Sequence, residues 1–171
     1  MIADGYPLEP ALDFMRRLWR LDHALARLSA RMERSLGVTA PQRLVLRCVG
    51  KFPGVSAGRL ATLLHLDPST ISSAMRRLEE RGLLDRQRDG RDRRRVVLGL
   101  TAAGRALVRP SPGTVEHAVE ALLADVSVAE VGRFATLIDR MVDLVEAETP
   151  GRPARARRGA PAGRRPRAPR A

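Results

Sequence analysis

The segment from Ser56 to Thr101 restricts the fold of this chain more than any other part of it. It contains two short helical patterns separated by a tight turn, followed by two stretches with the composition of strands. Ser56 can cap the first helix, and Asp67 can cap the second. Pro68 would be the first residue of the second helix, where proline is favoured because an N–H at that position has no acceptor within the helix. Gly82 then ends the second helix in the left-handed conformation. These signals predict a helix-turn-helix followed by a β-hairpin.

Apolar residues at helical spacing predict the inward face of each of these two helices. The inward-facing residues are expected to be Leu60, Leu63 and Leu64 in the first helix and Ile71, Ala74, Met75 and Leu78 in the second. The outward face of the second helix then carries Ser69, Thr70, Ser72, Ser73, Arg76 and Arg77. Hydroxyls and arginines suit base edges and phosphates. For this segment alone, an ordinary amphipathic helix with a solvated face is an equally good interpretation.

The predicted hairpin favours nucleic-acid binding, because its tip is rich in arginine. Its strands are expected at Leu84–Arg88 and Val96–Leu100, and an Asp89-Gly90 turn signal lies between them. The arginines of the tip are Arg91, Arg93, Arg94 and Arg95, and Asp92 lies among them. Such a tip suits the negative potential of a DNA minor groove, and Asp92 can order it by a bidentate pair with one arginine. A solubilising loop is the alternative.

Several motifs in one order make the region from about Thr39 to Arg105 similar to the MarR family of bacterial transcription regulators. The matching stretches are Val38–Gln42, Asp67–Ser72, Arg77–Leu84, Asp92–Arg94 and Leu100–Gly104. The chain departs from the family pattern at His65, where a glycine is usual in the turn, although histidine tolerates left-handed geometry better than most residues. It also departs at Ser73 and Arg76, which leaves the operator sequence open.

The resemblance implies a mainly α-helical fold with a small β-hairpin wing. The DNA-binding lobe, a winged helix-turn-helix, is expected at about residues 39–101, with N- and C-terminal dimerisation helices completing a domain of residues 1–149. The implied function is sequence-specific transcription regulation, with repression as the expected sign, by a homodimer on a palindromic operator in double-stranded DNA. The implied DNA contacts are Ser69, Thr70, Ser72, Ser73, Arg76, Arg77, Arg91, Arg93 and Arg94, with Asp92 ordering the wing.

The resemblance also implies an effector signal, either a small molecule or an oxidant. In relatives the effector pocket lies between the dimer helices and the DNA-binding lobe, which makes Arg16, Trp19 and His23 the candidates here. Burial of Trp19 in the core is the alternative. No catalytic site is expected, because the sequence contains no metal-ligand spacing, no phosphate-binding glycine loop and no nucleophile elbow, and no metal or cofactor is implied.

The charge distribution agrees with an oriented nucleic-acid face. The chain of 171 residues has a net charge of +12, of which residues 1–55 and 56–101 each carry +4, residues 102–149 carry −4 and residues 150–171 carry +8. The last segment contains no large apolar residue and is predicted to be a disordered tail. It either adds diffuse DNA affinity or is neutral. Low-specificity architectural binding of DNA or RNA through arginine charge is therefore the alternative function.

Two flanking segments have the spacing of helix–helix seams. The first comprises Phe14, Leu18, Leu21, Leu25, Leu28 and Met32, and the second comprises Val131, Phe134, Ile138, Met141 and Val145. Either seam alone could pack within the chain or form a dimer. Ser127 and Glu130 form a capping box at the start of the second. Pro110–Gly113 must interrupt any long helix from Thr101, as a hinge or a simple loop, before a helix from Thr114 to about Ala124.

The remaining signals concern compartment and redox chemistry. No window has the length and apolarity of a transmembrane helix, and the start lacks a signal-peptide pattern, so a cytoplasmic protein with no membrane partner is expected. The single cysteine, Cys48, excludes an intramolecular disulfide. It lies in an apolar helix and is expected to be a small buried hydrophobe rather than a reactive thiol.

Overall fold

The computed structural model describes residues 2–3, 6–88 and 96–148. The chain divides into two compact units, Met1–Ala124 and Asp125–Ala171. In the first unit, short strands β1 and β2 precede helices α1 to α4, strands β3 and β4 follow, and α5 and α6 complete it; the second unit contains α7. Their bounds are β1 Ile2–Ala3, β2 Tyr6–Pro7, α1 Pro10–Leu36, α2 Ala40–Lys51, α3 Ala57–Leu63, α4 Pro68–Glu80, β3 Leu84–Arg88, β4 Val96–Leu100, α5 Ala102–Leu107, α6 Val115–Ala124 and α7 Val128–Ala147.

The core of the first unit lies among α2, α3, α4 and the hairpin. Its buried residues are Val38, Val45, Leu46, Val49, Val55, Leu60, Ala61, Ile71, Met75, Leu78, Leu84 and Leu98. The prediction that Leu63 faces inward is wrong, because this side chain is 43% exposed. The inward face of the short α3 is instead formed by Leu60 and Ala61, with Leu64 packed partly buried beside them. The predicted mainly helical fold with a β-hairpin is confirmed.

Capping residues occupy the starts of α2, α3 and α4, and the sequence predicts those at Ser56 and Asp67. Thr39 and Gln42 form a reciprocal capping box at the start of α2, and the Ser56 hydroxyl accepts a hydrogen bond from the backbone of α3. Asp67 occupies the predicted N-cap position of α4 in extended conformation, but its side chain makes no capping hydrogen bond to the helix. In the turn between α3 and α4, His65 adopts a φ of 51°, so it takes the left-handed conformation for which the family uses glycine.

The base of the hairpin is joined to the end of α4 by backbone contacts. β3 and β4 pair antiparallel, with Leu84 opposite Leu100. The N–H of Thr101 donates to the Leu83 carbonyl (3.3 Å), and its hydroxyl donates to the Gly82 carbonyl (2.7 Å). Gly82 itself has a φ of 64°, as predicted for the residue that ends the helix. These contacts determine where the hairpin leaves the helix.

Gly104 allows α5 to pack closely against this junction. A Cβ atom at Gly104 would lie 2.0 Å from the Leu83 carbonyl oxygen, a backbone atom that cannot move independently. Every larger residue would therefore separate α5 from the start of the hairpin. This close approach gives a physical reason for glycine at the end of the Leu100–Gly104 motif.

The predicted interruption after α5 is confirmed, and a buried arginine ties it to α2. The Arg43 side chain is fully buried, and its Nε donates to a Glu116 carboxylate oxygen at the start of α6 (2.8 Å). Its Nη1 donates to the Leu107 carbonyl, and its Nη2 donates to the Arg109 carbonyl (2.9 Å) and to the Ser111 hydroxyl (3.4 Å). The connection between α5 and α6 is therefore a loop with specific partners on α2.

The two predicted seams lie on helices that expose most of their apolar residues. In α1 only Met32 of its seam is buried, while Phe14, Leu21 and Leu25 are each more than 40% exposed. Packing within the chain thus accounts for only one end of this seam.

The seam of α7 contains no buried residue, although Val131, Ile138 and Met141 are half-buried. The capping box of Ser127 and Glu130 is confirmed, and α7 has no buried residue. Phe134 is 59% exposed, and Val145 is exposed as well. None of the helices that the structure describes is long and apolar enough to cross a membrane.

Candidate nucleic-acid interface

The outer face of α4 presents all six residues that the sequence assigned to it. Ser69, Thr70, Ser72, Ser73, Arg76 and Arg77 are exposed. On the opposite face Ile71, Met75 and Leu78 are almost completely buried. Burial of that face fixes the orientation of α4 about its own axis. The hydroxyls and guanidinium groups on the other side therefore form one outward surface. That combination can donate hydrogen bonds to base edges and to phosphates.

The tip of the hairpin falls outside the described residues. This applies to Arg91, Asp92, Arg93 and Arg94, whose contacts with DNA and with each other stay predictions. The strands that carry the tip have the predicted bounds, and the pair of Arg88 with Val96 is the last before it.

A cleft of about 390 Å³ lies between the outer face of α4 and strand β3. It is lined by Ser72, Ser73, Arg76, Glu79 and Arg86. Sequence reasoning missed the last two. Glu79 follows Ser72 and Arg76 at helical spacing, which could have placed it on the same face. The sequence carried no comparable signal for Arg86, because its approach depends on the angle between the hairpin and α4.

The candidate effector residues lie on α1 and are accessible. Arg16 donates to Asp13 (2.7 Å), and Arg17 donates to the other oxygen of the same carboxylate (2.9 Å). These two arginines lower the pKa of Asp13. Trp19 is 59% exposed, so its assignment to the core of the chain is wrong, and His23 is exposed as well. The structure therefore leaves Arg16, Trp19 and His23 on an open helix surface.

A larger groove, of about 640 Å³, runs between α2 and the segment from β4 to α5. Apolar residues such as Leu44 and Val108 line it together with the cations Arg47, Lys51 and Arg105. Cys48 also lines this groove; it is half-buried, and burial raises the pKa of its thiol. Within the described part of the chain, no group of three or more His, Cys, Asp or Glu side chains could hold a metal ion.

Comparison with known proteins places this geometry in a family. The model of the MarR family matches residues 38–96. The HTH-type transcriptional repressor Rv2887 of Mycobacterium tuberculosis is 28% identical over 106 residues, which cover 62% of this chain and 76% of the relative. The transcriptional regulator HosA of Escherichia coli O157:H7 is also 28% identical over 106 residues, covering 62% of this chain and 78% of HosA.

Solved structures extend the similarity over most of the chain. The PcaV transcriptional regulator from Streptomyces coelicolor, crystallised with its natural ligand, is 31% identical, with a TM-score of 0.61, and the match covers 82% of this chain and 99% of PcaV. The transcriptional regulator SlyA is 27% identical, with a TM-score of 0.60 and coverage of 80% and 96%. The chain therefore belongs to the MarR family of winged helix-turn-helix transcriptional regulators, which bind DNA.

Proposed function

We propose that this protein is a sequence-specific repressor that binds a palindromic operator as a homodimer. The observation that carries the proposal is the outer face of α4, where Ser72, Ser73, Arg76 and Arg77 are exposed while the opposite face is part of the core. An α-helix with such a face fits the major groove, and an arginine that makes two hydrogen bonds to guanine reads one base pair.

The hairpin provides a second contact in this proposal. Its base is fixed to the end of α4, which determines where strands β3 and β4 leave the helix that reads the major groove. Arg91, Arg93 and Arg94 would enter the adjacent minor groove, with Asp92 holding one of them in place. Ser69 and Thr70, in the first turn of α4, would contact the DNA backbone.

Dimerisation is supported by the exposed apolar residues of α1 and α7. Phe14 and Leu21 on α1 are each 49% exposed, and Phe134 on α7 is 59% exposed. Large contiguous apolar surfaces are rare on monomeric proteins. A second copy of residues 1–149 would cover them, and sedimentation at micromolar concentration should then give about twice the chain mass of 18.8 kDa. A monomer that binds a palindrome tightly would contradict this part of the proposal.

The test of sequence reading is a footprint over the intergenic DNA beside the gene, with random DNA as competitor. Arg76→Ala and Arg77→Ala are compared with the wild-type chain on the protected fragment. Removing one bidentate arginine–guanine pair should weaken operator binding by about 1–3 kcal/mol and relax specificity at one position. If both variants keep full operator discrimination, α4 does not read the sequence.

Architectural binding is tested by separating the tail from the wing. Residues 150–171 contain eight arginines and no acid. In this proposal the tail adds only diffuse attraction, so its deletion should weaken operator and random DNA alike. The log–log salt slope should then fall by roughly 0.9 for each phosphate that the tail no longer neutralises. Arg94→Ala should instead remove protection at the outer edges of each half-site. If tail deletion abolishes operator preference while Arg94→Ala binds normally, the polycationic tail is the binding device and the winged-helix proposal is wrong.

A small-molecule effector that relieves repression completes the proposal. Arg16, Trp19 and His23 share one face of α1 by their spacing, and a guanidinium, an indole and an imidazole can together bind an anion with an apolar body. Trp19 fluorescence in the presence of candidate effectors gives the readout. If a compound releases DNA equally from the wild-type chain and from His23→Ala and Arg16→Ala variants, the effector site lies elsewhere.

A further inference from the structure

An ion pair connects α4 directly to the hairpin. The Nε of Arg86, in the middle of β3, contacts a carboxylate oxygen of Glu79 in the last turn of α4. The side chain of Glu79 is 27% exposed and that of Arg86 is 48% exposed. The pair bridges the two elements that the proposed function assigns to different grooves of DNA.

The position of this pair follows from the backbone between the two elements. The N–H of Leu83 donates to the Leu78 carbonyl (2.9 Å), which closes the end of α4, and Leu84 is buried in the core. β3 thus starts from a fixed point. The pairing of Arg86 with Leu98 of β4, whose own side chain is buried, holds that part of the strand against the rest of the unit.

Glu79 would be unfavourable on this surface if it acted only through its charge. It lines the same cleft as Ser72, Ser73 and Arg76, which the proposed function turns towards DNA, and a carboxylate there repels phosphates. Pairing with Arg86 offsets that charge. Because only one of the five guanidinium N–H donors of Arg86 takes part in the contact, the terminal Nη groups keep donors for another oxygen acceptor.

We propose that Arg86 contacts a DNA phosphate at the cleft between α4 and β3, and that Glu79 is the positioning residue that holds its guanidinium there. Arginine suits this role because its planar fork can pair with a carboxylate on one edge and a phosphate on another. The inference rests on the proposed function, since it requires α4 and the hairpin to face DNA. It adds a contact with the DNA backbone, located between the proposed contacts in the major groove and in the minor groove.

α4 provides a matched control for the role of Glu79. Glu80 is the next residue, is 65% exposed, and lies 3.9 Å from Arg76 at the distance of a loose ion pair. Glu79→Gln and Glu80→Gln remove the same charge from the same helix turn. If only the loss of negative charge matters, both variants should bind DNA more tightly than wild type. If Glu79 positions Arg86, Glu79→Gln should bind DNA more weakly and Glu80→Gln more tightly.

The experiment measures the affinity of each full-length variant for the footprinted operator fragment and for random DNA, across a salt titration. Glu80→Gln should bind both DNAs slightly more tightly. Glu79→Gln should bind the operator about fivefold more weakly than wild type. Arg86→Gln should bind at least as weakly as Glu79→Gln, with a log–log salt slope lower by about 0.9, the value for one phosphate contact. The double variant Glu79→Gln/Arg86→Gln should be no weaker than Arg86→Gln, because the two residues act through one contact.

Two further measurements keep the result unambiguous. Thermal unfolding shows whether each variant is folded, and Arg86→Lys, which keeps the charge without the fork, should retain the salt slope while losing part of the operator affinity. The inference is overturned if Glu79→Gln binds the operator as tightly as Glu80→Gln, or if the slope of Arg86→Gln equals that of wild type. If the wild-type chain shows no operator preference, the proposed function is overturned. If the wild-type chain prefers the operator but Glu79→Gln and Glu80→Gln bind it with equal affinity, only this inference is overturned.

Discussion

Replacing the buried Arg43 by methionine should destabilise the first unit strongly. Methionine has a similar length and fills most of the same volume, so little of the effect comes from a cavity. The substitution removes the donors that bind the carbonyls of Leu107 and Arg109 and the hydroxyl of Ser111. It also removes the Arg43 Nε that lies 2.8 Å from Glu116 Oε1. The nearest remaining cation of that carboxylate oxygen in the described structure is Arg47, whose Nη1 lies 3.9 Å away.

The magnitude follows from the hydrogen bonds and the ion pair that the substitution removes. Three neutral acceptors at about 1 kcal/mol each and a weakened charge pair amount to about 3–4 kcal/mol, in the lower part of the range for breaking a buried ion pair. That destabilisation is a large fraction of the 5–15 kcal/mol that stabilises a typical domain, and should lower the melting temperature by roughly 10 °C. Urea unfolding followed by circular dichroism measures the change in unfolding free energy.

Arg47→Met is the control for this prediction. Arg47 lies one helical turn from Arg43 and pairs with Glu120 (3.1 Å), but its side chain is 33% exposed. A partly exposed pair contributes less than about 1 kcal/mol. If Arg43→Met is no more destabilising than Arg47→Met, then burial of the guanidinium does not hold the connection between α5 and α6, and the reasoning is wrong.

Three more predictions rest on single residues. Gly104→Ala should destabilise the protein by about 1–3 kcal/mol through the close backbone contact, whereas Gly58→Ala, in a helix with open space, should stabilise it by about 0.5–1 kcal/mol; equal melting temperatures would contradict this. Hydrogen bonds from Ser127 lower the pKa of Glu130, so the stabilisation it provides is present above the ordinary glutamate pKa and is lost as the pH falls through the lowered value. Ser127→Ala should move this pKa back up in an NMR titration, and an unchanged pKa would disprove the cause. Because burial raises the pKa of Cys48, its alkylation by iodoacetamide at neutral pH should be slower in the folded chain than in urea, and equal rates would count against burial.

The elements of the DNA-binding lobe could be predicted from the sequence because their signals are local. Pro68 at the start of α4 and Gly82 after its end mark the helix within a few residues, and the observed strands have the predicted bounds. The outward face of α4 follows from the spacing of its buried residues. The error at Leu63 arose because a helix of seven residues is too short for its apolar spacing to define a single face.

The ion pairs could not be predicted from the sequence. Arginine is rarely fully buried, so nothing at Arg43 indicated that its charge would meet Glu116, 73 residues further along the chain. The approach of Arg86 to Glu79 depends on how the hairpin leaves α4. Such contacts depend on tertiary geometry, whereas caps, turns and helical faces depend on neighbours in the sequence.

Helix α7 has a thermodynamic consequence for how this protein assembles. It has 20 residues and none of them is buried, although helices in water obtain most of their stability from packing of an apolar face. Its capping box stabilises only the first turn. If a second copy covers the exposed face, the helix–coil equilibrium of α7 is linked to association, and its helical population must rise with protein concentration. The measured dimerisation constant would then include the free energy of ordering this helix, and dilution would unwind α7 as it separates the two chains.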